Sequence, residues 1–435
     1  MKAIIMTYGC QMNVHDSEII KKYVKECGYD FTEKIENASL IIINTCCVRE
    51  SAEKRIYGRV NFLKKFKYLN PYLIIGMAGC LVQKDKKSLF KKVPHVDFAI
   101  GPQEISKIPE IINEARKGIK FIGDFKEREF IGESEKGLIE HPYQSWLSIM
   151  KGCDNYCSYC IVPYVRGHEI SKDYNIIEDE FKYLAQCGVK DVTLLGQNVN
   201  SYGKGLEENI NFAELMIRLD KQDLIPRIRF MTSHPKDFNE AIVNAIKNGK
   251  NLCDHIHLPF QAGSDNILKK MNRKYTVNEY IKKIEFVRQE LPDAALTTDI
   301  IVGFPGETEE DFNQTIKLVQ DLRFDSAHTF IYSIRTGTKA AEFEDQIPEE
   351  IKKERVKRLI DIQNDISIEI NKKLEGKVYN ILVEGWDKNK TRLQGRTTSN
   401  KIVVFKGDDS LIGKFVDVKI IEGLHWTLIG EKINV

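Results

Sequence analysis

Three cysteines lie close together near the middle of the chain, in the stretch Cys153-Asp154-Asn155-Tyr156-Cys157-Ser158-Tyr159-Cys160. The stretch follows the apolar run 146–150, which reads as a β-strand, so the three thiols should lie in a loop where that strand ends. Three cysteines at this spacing do not suit ordinary core positions, and thiolates bind soft metals such as zinc or the iron of iron–sulfur clusters. The stretch therefore predicts a metal centre at the end of a central strand.

The number of candidate ligands separates two kinds of metal centre. A structural zinc ion takes four ligands, and His168 is the one nearby residue that would supply the fourth. Three cysteines without a fourth ligand suit a [4Fe–4S] cluster in which one iron keeps an open coordination site. A zinc loop and a chance group of cysteines remain as the alternatives.

Composition limits the class of protein. The chain has 435 residues, of which 42% are hydrophobic and 29% charged, a balance typical of globular proteins with two to four domains of about 100–200 residues. The net charge of +2 excludes a basic field over the whole surface, so nucleic-acid binding must be local. Ten cysteines, without a secretory leader or an apolar run of membrane-spanning length, indicate reduced thiols and a cytoplasmic location.

The first 120 residues contain a second set of cysteines. Strand-like and helical segments alternate over residues 1–120, which predicts a doubly wound parallel α/β sheet. Cys10, Cys46 and Cys80 each follow a strand-like run, at separations of 36 (46 − 10) and 34 (80 − 46) residues. Parallel strands carry their ligand sites beyond their carboxyl ends, so the three thiols should meet at one edge. Burial as small apolar residues is the alternative, and either Cys46 or Cys47 would point toward the site.

Apolar periodicity predicts two helices whose faces bear on the later argument. The first runs over residues 17–27 and ends at a glycine. The second runs over residues 348–375 and carries an apolar stripe. That stripe consists of Ile351, Val356, Leu359, Ile360, Ile366 and Ile370.

A partial (β/α)6 barrel is predicted for residues 141–370, after a charged surface linker at residues 121–140. Six strand-like runs are each followed by a helical segment, and the rim at the strands' carboxyl ends is where catalytic groups collect in such barrels. The polar rim candidates are Gly196, Gln197, Ser233 and Asp299. Each has a structural alternative as a turn residue, a helix cap or a satisfied carboxylate. The histidines at positions 234, 255 and 257 lack a soft second ligand and are predicted to be structural.

Residues 371–435 switch to a period of two, which predicts a small all-β barrel of five strands. Basic residues crowd one of its hairpins, with an aromatic residue nearby. They are Lys388, Lys390, Arg392, Arg396 and Lys401, with Trp386. Such a surface suits a phosphate backbone and a stacked base, although a solvated rim explains the charges equally well.

Several of these motifs resemble one known family. The cysteine spacing of three and then two residues from Cys153 to Cys160 resembles the signature loop of radical S-adenosylmethionine (SAM) enzymes. Residues 8–13 (YGCQMN), 44–50 (NTCCVRE) and 78–80 (AGC) resemble the amino-terminal domain of the methylthiotransferases. The pattern Gly395-Arg396-Thr397…Asn400-Lys401…Val404 resembles the TRAM module, an RNA-binding appendage. Together these similarities span nearly the whole chain.

The resemblance implies cofactors and the residues that would bind them. Two [4Fe–4S] clusters are implied, one on Cys153, Cys157 and Cys160 that also binds SAM, and an auxiliary one on Cys10, Cys46 and Cys80, which resolves the choice against Cys47. The remaining implied contacts are Tyr159 beside the SAM adenine, Gly196 and Gln197 near its amino group, Ser233 and Asp299 near its carboxylate or ribose, and Arg392, Arg396 and Lys401 on RNA.

The resemblance also implies an activity. It is methylthiolation at C2 of N6-isopentenyladenosine beside the anticodon of tRNA, favoured by the motifs at residues 9–13 and 195–200, with SAM as radical source and methyl donor. A flavodoxin- or ferredoxin-like electron donor and a sulfur source are implied partners. The alternatives are methylthiolation of threonylcarbamoyl-adenosine in tRNA or of an aspartate in a ribosomal protein, and a non-catalytic iron–sulfur protein that binds RNA. Val165 and His168 depart from the family's Thr and Arg, which bears on local substrate contacts.

Overall fold

A computed structural model describes residues 1–47, 50–125, 134–208 and 210–433 of the chain. In chain order these residues form a six-stranded parallel sheet, an open barrel of parallel strands and a closed five-stranded barrel. This confirms the predicted fold class. No helix within the described ranges is long and apolar enough to span a membrane.

The amino-terminal α/β unit spans residues 2–122 and alternates strands with helices. Its elements are β1 (Lys2–Thr7), α1 (Gln11–Glu26), β2 (Asp30–Phe31), β3 (Leu40–Thr45), α2 (Glu50–Leu69), β4 (Ile74–Gly79), α3 (Cys80–Asp85), α4 (Leu89–Lys92), β5 (Phe98–Ile100), α5 (Ile108–Arg116) and β6 (Phe121–Ile122). The strands are parallel, in the order β2-β1-β3-β4-β5-β6. The chain changes direction across the sheet between β1 and β3, and ligands bind beyond the strand ends at such a switch point.

Apolar residues cover both faces of this sheet. Ile41 and Ile43 of β3 pack with residues of α2 and α3, whereas Leu40 and Ile42 pack with those of α1 and α5. Successive side chains of a strand point to opposite faces, so a continuous apolar run is what a strand buried on both sides requires. The sheet is therefore doubly wound, as predicted.

Helix α1 begins at Gln11, well before the predicted start at residue 17. Its first turns carry the buried polar residues Asn13, His15 and Asp16, and the helix packs against β7 of the central barrel (Gln144–Ser148). Apolar periodicity does not detect a helix face that is buried through polar contacts. That is the physical reason for the late predicted start.

The central barrel follows. Its elements are β7 (Gln144–Ser148), β8 (Met150–Lys151), α6 (Val162–Arg166), β9 (Ile170–Ser171), α7 (Tyr174–Gln186), β10 (Asp191–Leu195), α8 (Phe212–Lys221), β11 (Arg227–Phe230), α9 (Glu240–Asn248), β12 (His255–His257), α10 (Asp265–Lys270), α11 (Val277–Glu290), β13 (Ala295–Val302), α12 (Glu309–Leu322), β14 (Ser326–Ile331) and α13 (Glu349–Lys372). Strands β7, β10 and β11 form one parallel sheet, and β12, β13 and β14 form another. A parallel bridge between Ile228 and Leu252 joins the two. Edge strands β7 and β14 are not paired with each other in the described chain, so the barrel is open on one side.

Part of the predicted surface linker is half-buried. Residues 126–133 lie outside the described residues, but residues 134–140 lie between α1 and the barrel. Glu135 pairs there with Lys151 and with the fully buried Lys172, and the Leu138 N–H donates to the Glu18 carbonyl at 3.0 Å. This part of the linker is therefore packed against the folded units, because its polar groups have partners in other segments of the chain.

Helix α13 confirms the predicted helix and part of its predicted apolar stripe. Leu359 and Ile366 are buried, whereas Ile351 and Ile360 are exposed. The buried face also includes the polar residues Lys352, Arg355 and Gln363. These polar side chains hydrogen-bond to neighbouring segments of the barrel, so burial there follows hydrogen bonding rather than hydropathy.

The carboxyl-terminal β barrel contains β15 (Val378–Trp386), β16 (Leu393–Arg396), β17 (Ile402–Phe405), β18 (Phe415–Gly423) and β19 (Leu428–Lys432). It closes in the order β15-β16-β17-β19-β18 and covers the amino-terminal end of the central barrel strands. Arg229 of β11 fixes this contact, because its guanidinium donates to the Thr397 carbonyl at 2.7 Å and pairs with Asp191 at 2.9 Å.

Two of the three predicted RNA-binding cations form ion pairs with carboxylates of the same chain. Arg396 pairs with Glu384 at 2.8 Å. Lys401 pairs with Asp325 at 2.5 Å, at the start of β14. Both ion pairs are more than two-thirds buried. RNA contact by Arg396 and Lys401 stays a prediction, since their charges are already paired within the chain.

Candidate metal centres and substrate chamber

A short hairpin closes the base of the central cysteine loop. Strands β8 and β9 pair antiparallel through Met150 with Ser171 and Lys151 with Ile170. Within the loop the Cys153 N–H donates to the Gly167 carbonyl at 3.2 Å. Gly152 has φ +75°, and a Cβ there would lie 1.8 Å from the His168 carbonyl oxygen. Glycine is therefore required at this position for the loop to close.

Two donors are directed at the sulfur atoms of this loop. The Asn155 side-chain N–H donates to Cys153 Sγ at 3.4 Å, and the Arg273 guanidinium donates to Cys157 Sγ at 3.4 Å. Arg273 is buried and also donates to the Pro259 carbonyl and the Tyr275 hydroxyl. Donors to cysteine sulfur are one of the means by which proteins tune iron–sulfur clusters.

The three central thiols fit a cationic cluster. Burial raises the pKa of Cys160 to about 12, and the charge of Cys157 adds to the effect. Burial likewise raises the pKa of Cys153, with Cys157 again contributing. Buried thiols with raised pKa values, such as Cys153 and Cys160, need a metal to hold them as thiolates. The donor set of this loop therefore fits the predicted iron–sulfur cluster.

His168, the candidate fourth ligand, forms a hydrogen bond with a residue other than the three cysteines. Its Nδ1 hydrogen-bonds to Asp154 Oδ1 at 2.8 Å, and its side chain is 62% exposed. Within the described ranges, no group of three or more His, Cys, Asp or Glu side chains is arranged to hold a single metal ion.

Buried polar atoms without partners gather at the barrel rim. Beyond β10 and β11, four side-chain atoms have no hydrogen-bond partner among the described residues: Asn198 Oδ1, Asn200 Nδ2, Ser233 Oγ and His234 Nε2. His234 Nδ1 accepts from the Lys236 N–H at 3.1 Å, so its Nε2 carries the proton. Burial lowers the pKa of His234 to about 2 and keeps the ring neutral. Buried polar groups are normally satisfied, so these atoms form a cradle suited to a polar ligand.

This cradle is connected to the cysteine loop. Lys236 Nζ donates to Asn155 Oδ1 at 2.7 Å, and Asn155 is the residue that donates to Cys153. Ser233, which is predicted to contact SAM, places its Oγ in this cradle, and the contact itself stays a prediction. His234, which the sequence suggested to be structural, also presents a free N–H there.

The other predicted SAM contacts lie around the same rim. Tyr159 packs edge-on against Phe304, with ring centroids 6.5 Å apart. Gln197 accepts from the Gly152 N–H through its side-chain oxygen and so supports the loop. Asp299 on β13 lies 3.6 Å from His257 Nε2. Contact of these residues and Gly196 with SAM stays a prediction.

The amino-terminal cysteines meet at one sheet edge. Thr45 pairs in register with Gly79, so Cys46 and Cys80 leave neighbouring strands side by side, while Cys10 precedes α1 just beyond β1. Hydrogen bonds from Asn13 to Asn44 and to the Thr45 carbonyl, at 3.3 and 3.2 Å, hold the α1 start against β3. The hydrogen bond from Cys47 and then the charge of Arg166 lower the pKa of Cys80, despite its burial. A stabilised thiolate fits a metal ligand.

Cys46 and Cys47 face different neighbours. A Cβ built on Gly9 would lie 2.7 Å from the Cys46 Cβ, so Cys46 lies beside the Cys10 loop. Cys47 donates to the Cys80 sulfur and packs in the apolar core. Cys46 thus lies beside Cys10 and Cys47 beside Cys80, and the choice of Cys46 as ligand stays a prediction.

Helix α6 connects the two sets of cysteines. It begins two residues after Cys160. Ile161, just before the helix, and Val165, within it, pack in the same cluster as Cys80 and Leu81. The two sets therefore flank one helix, on the carboxyl-end side of both the sheet and the barrel.

Three family models match the chain. "Uncharacterized protein family UPF0004" matches residues 2–101, the radical SAM superfamily matches residues 147–319, and the TRAM domain matches residues 372–433. The latter two confirm the resemblances inferred from the cysteine loop and the carboxyl-terminal pattern.

Solved structures of low sequence identity share the fold. A radical SAM methyltransferase, TsrM from Kitasatospora setae with cobalamin and a [4Fe–4S] cluster bound, superposes with a TM-score of 0.58 at 10% identity, over 78% of this chain and 73% of that one. The cobalamin-dependent radical enzyme OxsB gives a TM-score of 0.53 at 12% identity, over 82% of this chain and 56% of that one.

Curated relatives match from end to end. The tRNA-2-methylthio-N(6)-dimethylallyladenosine synthase of Thermoanaerobacter pseudethanolicus is 49% identical over 99% of this chain and 92% of the relative. Proteins of the same name from Clostridium botulinum and Alkaliphilus oremlandii are each 48% identical, over 99% and 100% of this chain and 96% and 93% of the relatives. The chain therefore belongs to the family of the tRNA-2-methylthio-N(6)-dimethylallyladenosine synthases, within the radical SAM superfamily.

Proposed function

We propose that this protein methylthiolates C2 of N6-isopentenyladenosine beside the anticodon of tRNA. The observation that supports this most directly is the pair of cysteine sets on either side of α6, in a chain nearly half identical to synthases of that name. When bound, two [4Fe–4S] clusters and SAM supply the sulfur, the methyl group and the radical that removes an unactivated ring hydrogen. The domains that carry these parts are assigned to residues 1–120, 141–370 and 371–435, joined by residues 121–140.

The chain's own residues would bind the cofactors and orient them. Cys153, Cys157 and Cys160 would hold the cluster that binds SAM, and Arg273 fixes the orientation of Cys157 by hydrogen bonding to its sulfur. The unpartnered rim atoms, with Ser233 and His234 among them, would hold the polar groups of SAM. Tyr159, Gly196, Gln197 and Asp299 complete the proposed site.

The auxiliary site is assigned to Cys10, Cys46 and Cys80. Cys10 is exposed and directly precedes the first turn of α1. Cys46 and Cys80 are buried. The exposed cysteine gives this site a side open to an incoming sulfur species or substrate.

The tRNA substrate and two further partners complete the proposal. Arg392, with the exposed Lys388 and Lys390 beside it, offers phosphate contacts that the paired Arg396 and Lys401 do not. An electron donor of the flavodoxin or ferredoxin type and a sulfur source are required by the chemistry. These partners and the tRNA belong to the cytoplasm, where we expect the protein to act.

Iron content tests the cluster assignment. After anaerobic reconstitution we expect about eight irons per wild-type chain, and about four in the variant Cys10/Cys46/Cys80→Ala, because each set holds one four-iron cluster. Cys27→Ala is the matched control, since that cysteine lies outside both sets, and it should keep all eight. About four irons in the wild type would contradict the auxiliary site.

Nucleoside analysis tests the substrate. A strain deleted for this gene should lose 2-methylthio-N6-isopentenyladenosine from its tRNA and regain it on complementation. Loss of the threonylcarbamoyl derivative instead, or of a methylthio-aspartate in a ribosomal protein, would assign one of the alternative substrates. Absence of 5′-deoxyadenosine after reduction with SAM would favour a non-catalytic RNA-binding protein.

A further inference from the structure

A buried ion pair joins the amino-terminal unit to the central barrel beside the cysteines. Arg166 ends α6, the helix that follows the central cysteine loop, and its guanidinium pairs with Asp16 of α1 at 2.8 Å. The side chains are only 5% and 3% exposed. Breaking a buried pair by removing one partner leaves an uncompensated charge, so this contact holds the two units in one arrangement.

The same guanidinium lies against the amino-terminal cysteines. Val165, the residue before Arg166, packs in the same cluster as Cys80, and the guanidinium lies close enough to the Cys80 sulfur for its charge to lower the pKa of that thiol. Arginine has enough donors to serve a carboxylate and a sulfur at once, in a fixed planar geometry. Asp16 orients Arg166, and Arg166 directs positive charge at Cys80.

The backbone around Arg166 supports the central cysteine loop. The Gly167 carbonyl accepts from the Cys153 N–H at 3.2 Å, and the Arg166 carbonyl accepts from the Gln103 side chain of the amino-terminal unit at 3.2 Å. One short segment therefore contacts a ligand of each predicted cluster, Cys153 through its main chain and Cys80 through its side chain.

We propose that Arg166 and Asp16 are a positioning pair that fixes the auxiliary site relative to the SAM site and raises the reduction potential of the auxiliary cluster. A donor to a ligand sulfur stabilises the reduced, more negative state of a cluster. This inference rests on the proposed auxiliary cluster at Cys10, Cys46 and Cys80.

The test separates the auxiliary cluster from the other one. In a Cys153/Cys157/Cys160→Ala background only the auxiliary cluster assembles, and its potential is measured by redox titration followed by EPR. Arg166→Lys keeps the positive charge but loses the planar contact to both partners. We expect the potential of the auxiliary cluster to become more negative in this variant, with four irons still bound.

Asp191→Asn is the matched control. Asp191 and Arg229 form an equally buried ion pair, 1% and 4% exposed, at the other end of the barrel. Breaking that pair carries the same general cost, so its auxiliary potential should equal that of the parent. An unchanged potential in Arg166→Lys, or an equal shift in Asp191→Asn, overturns the inference.

A third readout uses the chain with both cysteine sets intact. Arg166→Lys should still form 5′-deoxyadenosine from SAM but yield less methylthiolated nucleoside per radical, because the two sites are no longer held in place. Equal losses of both products would reduce the pair to a general structural contact and overturn the positioning role. Failure of the parent background to bind four irons would instead refute the proposed auxiliary cluster, which keeps the two failures distinct.

Discussion

Arg273 shows how a single buried side chain reaches a predicted cluster ligand from a distant part of the chain. Its guanidinium donates to Cys157, to the Pro259 carbonyl and to the Tyr275 hydroxyl. Hydrogen bonds to charged groups contribute about 1.5–3 kcal/mol each. The residue therefore stabilises the rim and also acts on the cluster that would bind SAM.

Replacing Arg273 should change the SAM-binding cluster. In a Cys10/Cys46/Cys80→Ala background, Arg273→Met should make the potential of the remaining cluster more negative, because a donor to Cys157 is lost. Redox titration followed by EPR measures this, and 5′-deoxyadenosine formation should fall with it. Arg288→Met is the control, since that guanidinium donates to the Leu322 carbonyl away from the cysteines. A potential unaffected by Arg273→Met would mean that this contact does not tune the cluster.

Residues of the site were predictable only where a local pattern carries the chemistry. The cysteine spacing is such a pattern, and so is the recurrence of cysteine after strands β1, β3 and β4. Arg273 contacts a residue 116 positions away, and His234 presents its N–H only because its Nδ1 accepts from Lys236. No motif around either residue signals these contacts, because they form only when separate barrel strands meet.

At the scale of one element, helix α13 shows that residues of the same type, which the sequence does not distinguish, can differ in burial. Arg355 is 6% exposed and pairs with the buried Glu307 at 2.7 Å, whereas Arg358 one turn later pairs with Glu309 at 2.8 Å in an exposed position. A sequence shows two similar cations on one helix. Only the fold places one of them opposite a buried carboxylate.

The two arginines should respond differently to truncation. Arg355→Ala leaves Glu307 buried without its counter-charge, so the free energy of unfolding should fall by about 3–5 kcal/mol. Arg358→Ala removes an exposed pair and should cost at most about 1 kcal/mol. Urea unfolding of the metal-free protein compares them on one helix. Similar losses in both variants would show that burial of the Arg355–Glu307 pair is not what stabilises α13.

Strands were more predictable than helix faces. The continuous apolar runs at β3 and β4 correctly indicated strands buried on both sides of the sheet. Helix α1 and helix α13 instead bury polar side chains whose partners lie in other segments. Hydropathy reports the transfer of apolar surface from water, so it identifies elements buried by apolar packing and misses faces buried by paired polar groups.

At the scale of the whole molecule, charged and polar groups hold the amino-terminal unit to the barrel. His15 and Glu18 of α1 lie against the segment 134–140, where Glu135 pairs with Lys172. Lys172 also pairs with Glu180 at 2.8 Å. The sequence shows only scattered charges in these segments, and scattered charges predict a surface connection. The contact between the amino-terminal unit and the barrel thus depends on the protonation states of these buried groups, which the amino-acid composition does not reveal.

Glu18 is a buried carboxyl group at this interface. It is 1% exposed, and one of its carboxylate oxygens has no partner among the described residues. Burial raises its pKa to about 7 from 4.5, partly offset by a hydrogen bond from the Glu140 N–H. The folded state therefore binds a proton that the unfolded chain releases above pH 4.5. Stability from this group is present below that pH and is lost as the pH rises toward 7.

Replacing Glu18 by glutamine should remove this pH dependence. The raised pKa corresponds to about 2–3 kcal/mol, so Glu18→Gln should exceed the wild type in stability at pH 8 by that much more than at pH 5. Thermal unfolding of the metal-free protein at a series of pH values measures the difference. The buried His15 also makes stability depend on pH, with the opposite sign, because burial lowers its pKa. His15 is present in both proteins, so its effect cancels when the variant is compared with the wild type. A difference between Glu18→Gln and the wild type that stays the same from pH 5 to pH 8 would show that the Glu18 carboxyl is ionised within the interface at pH 5.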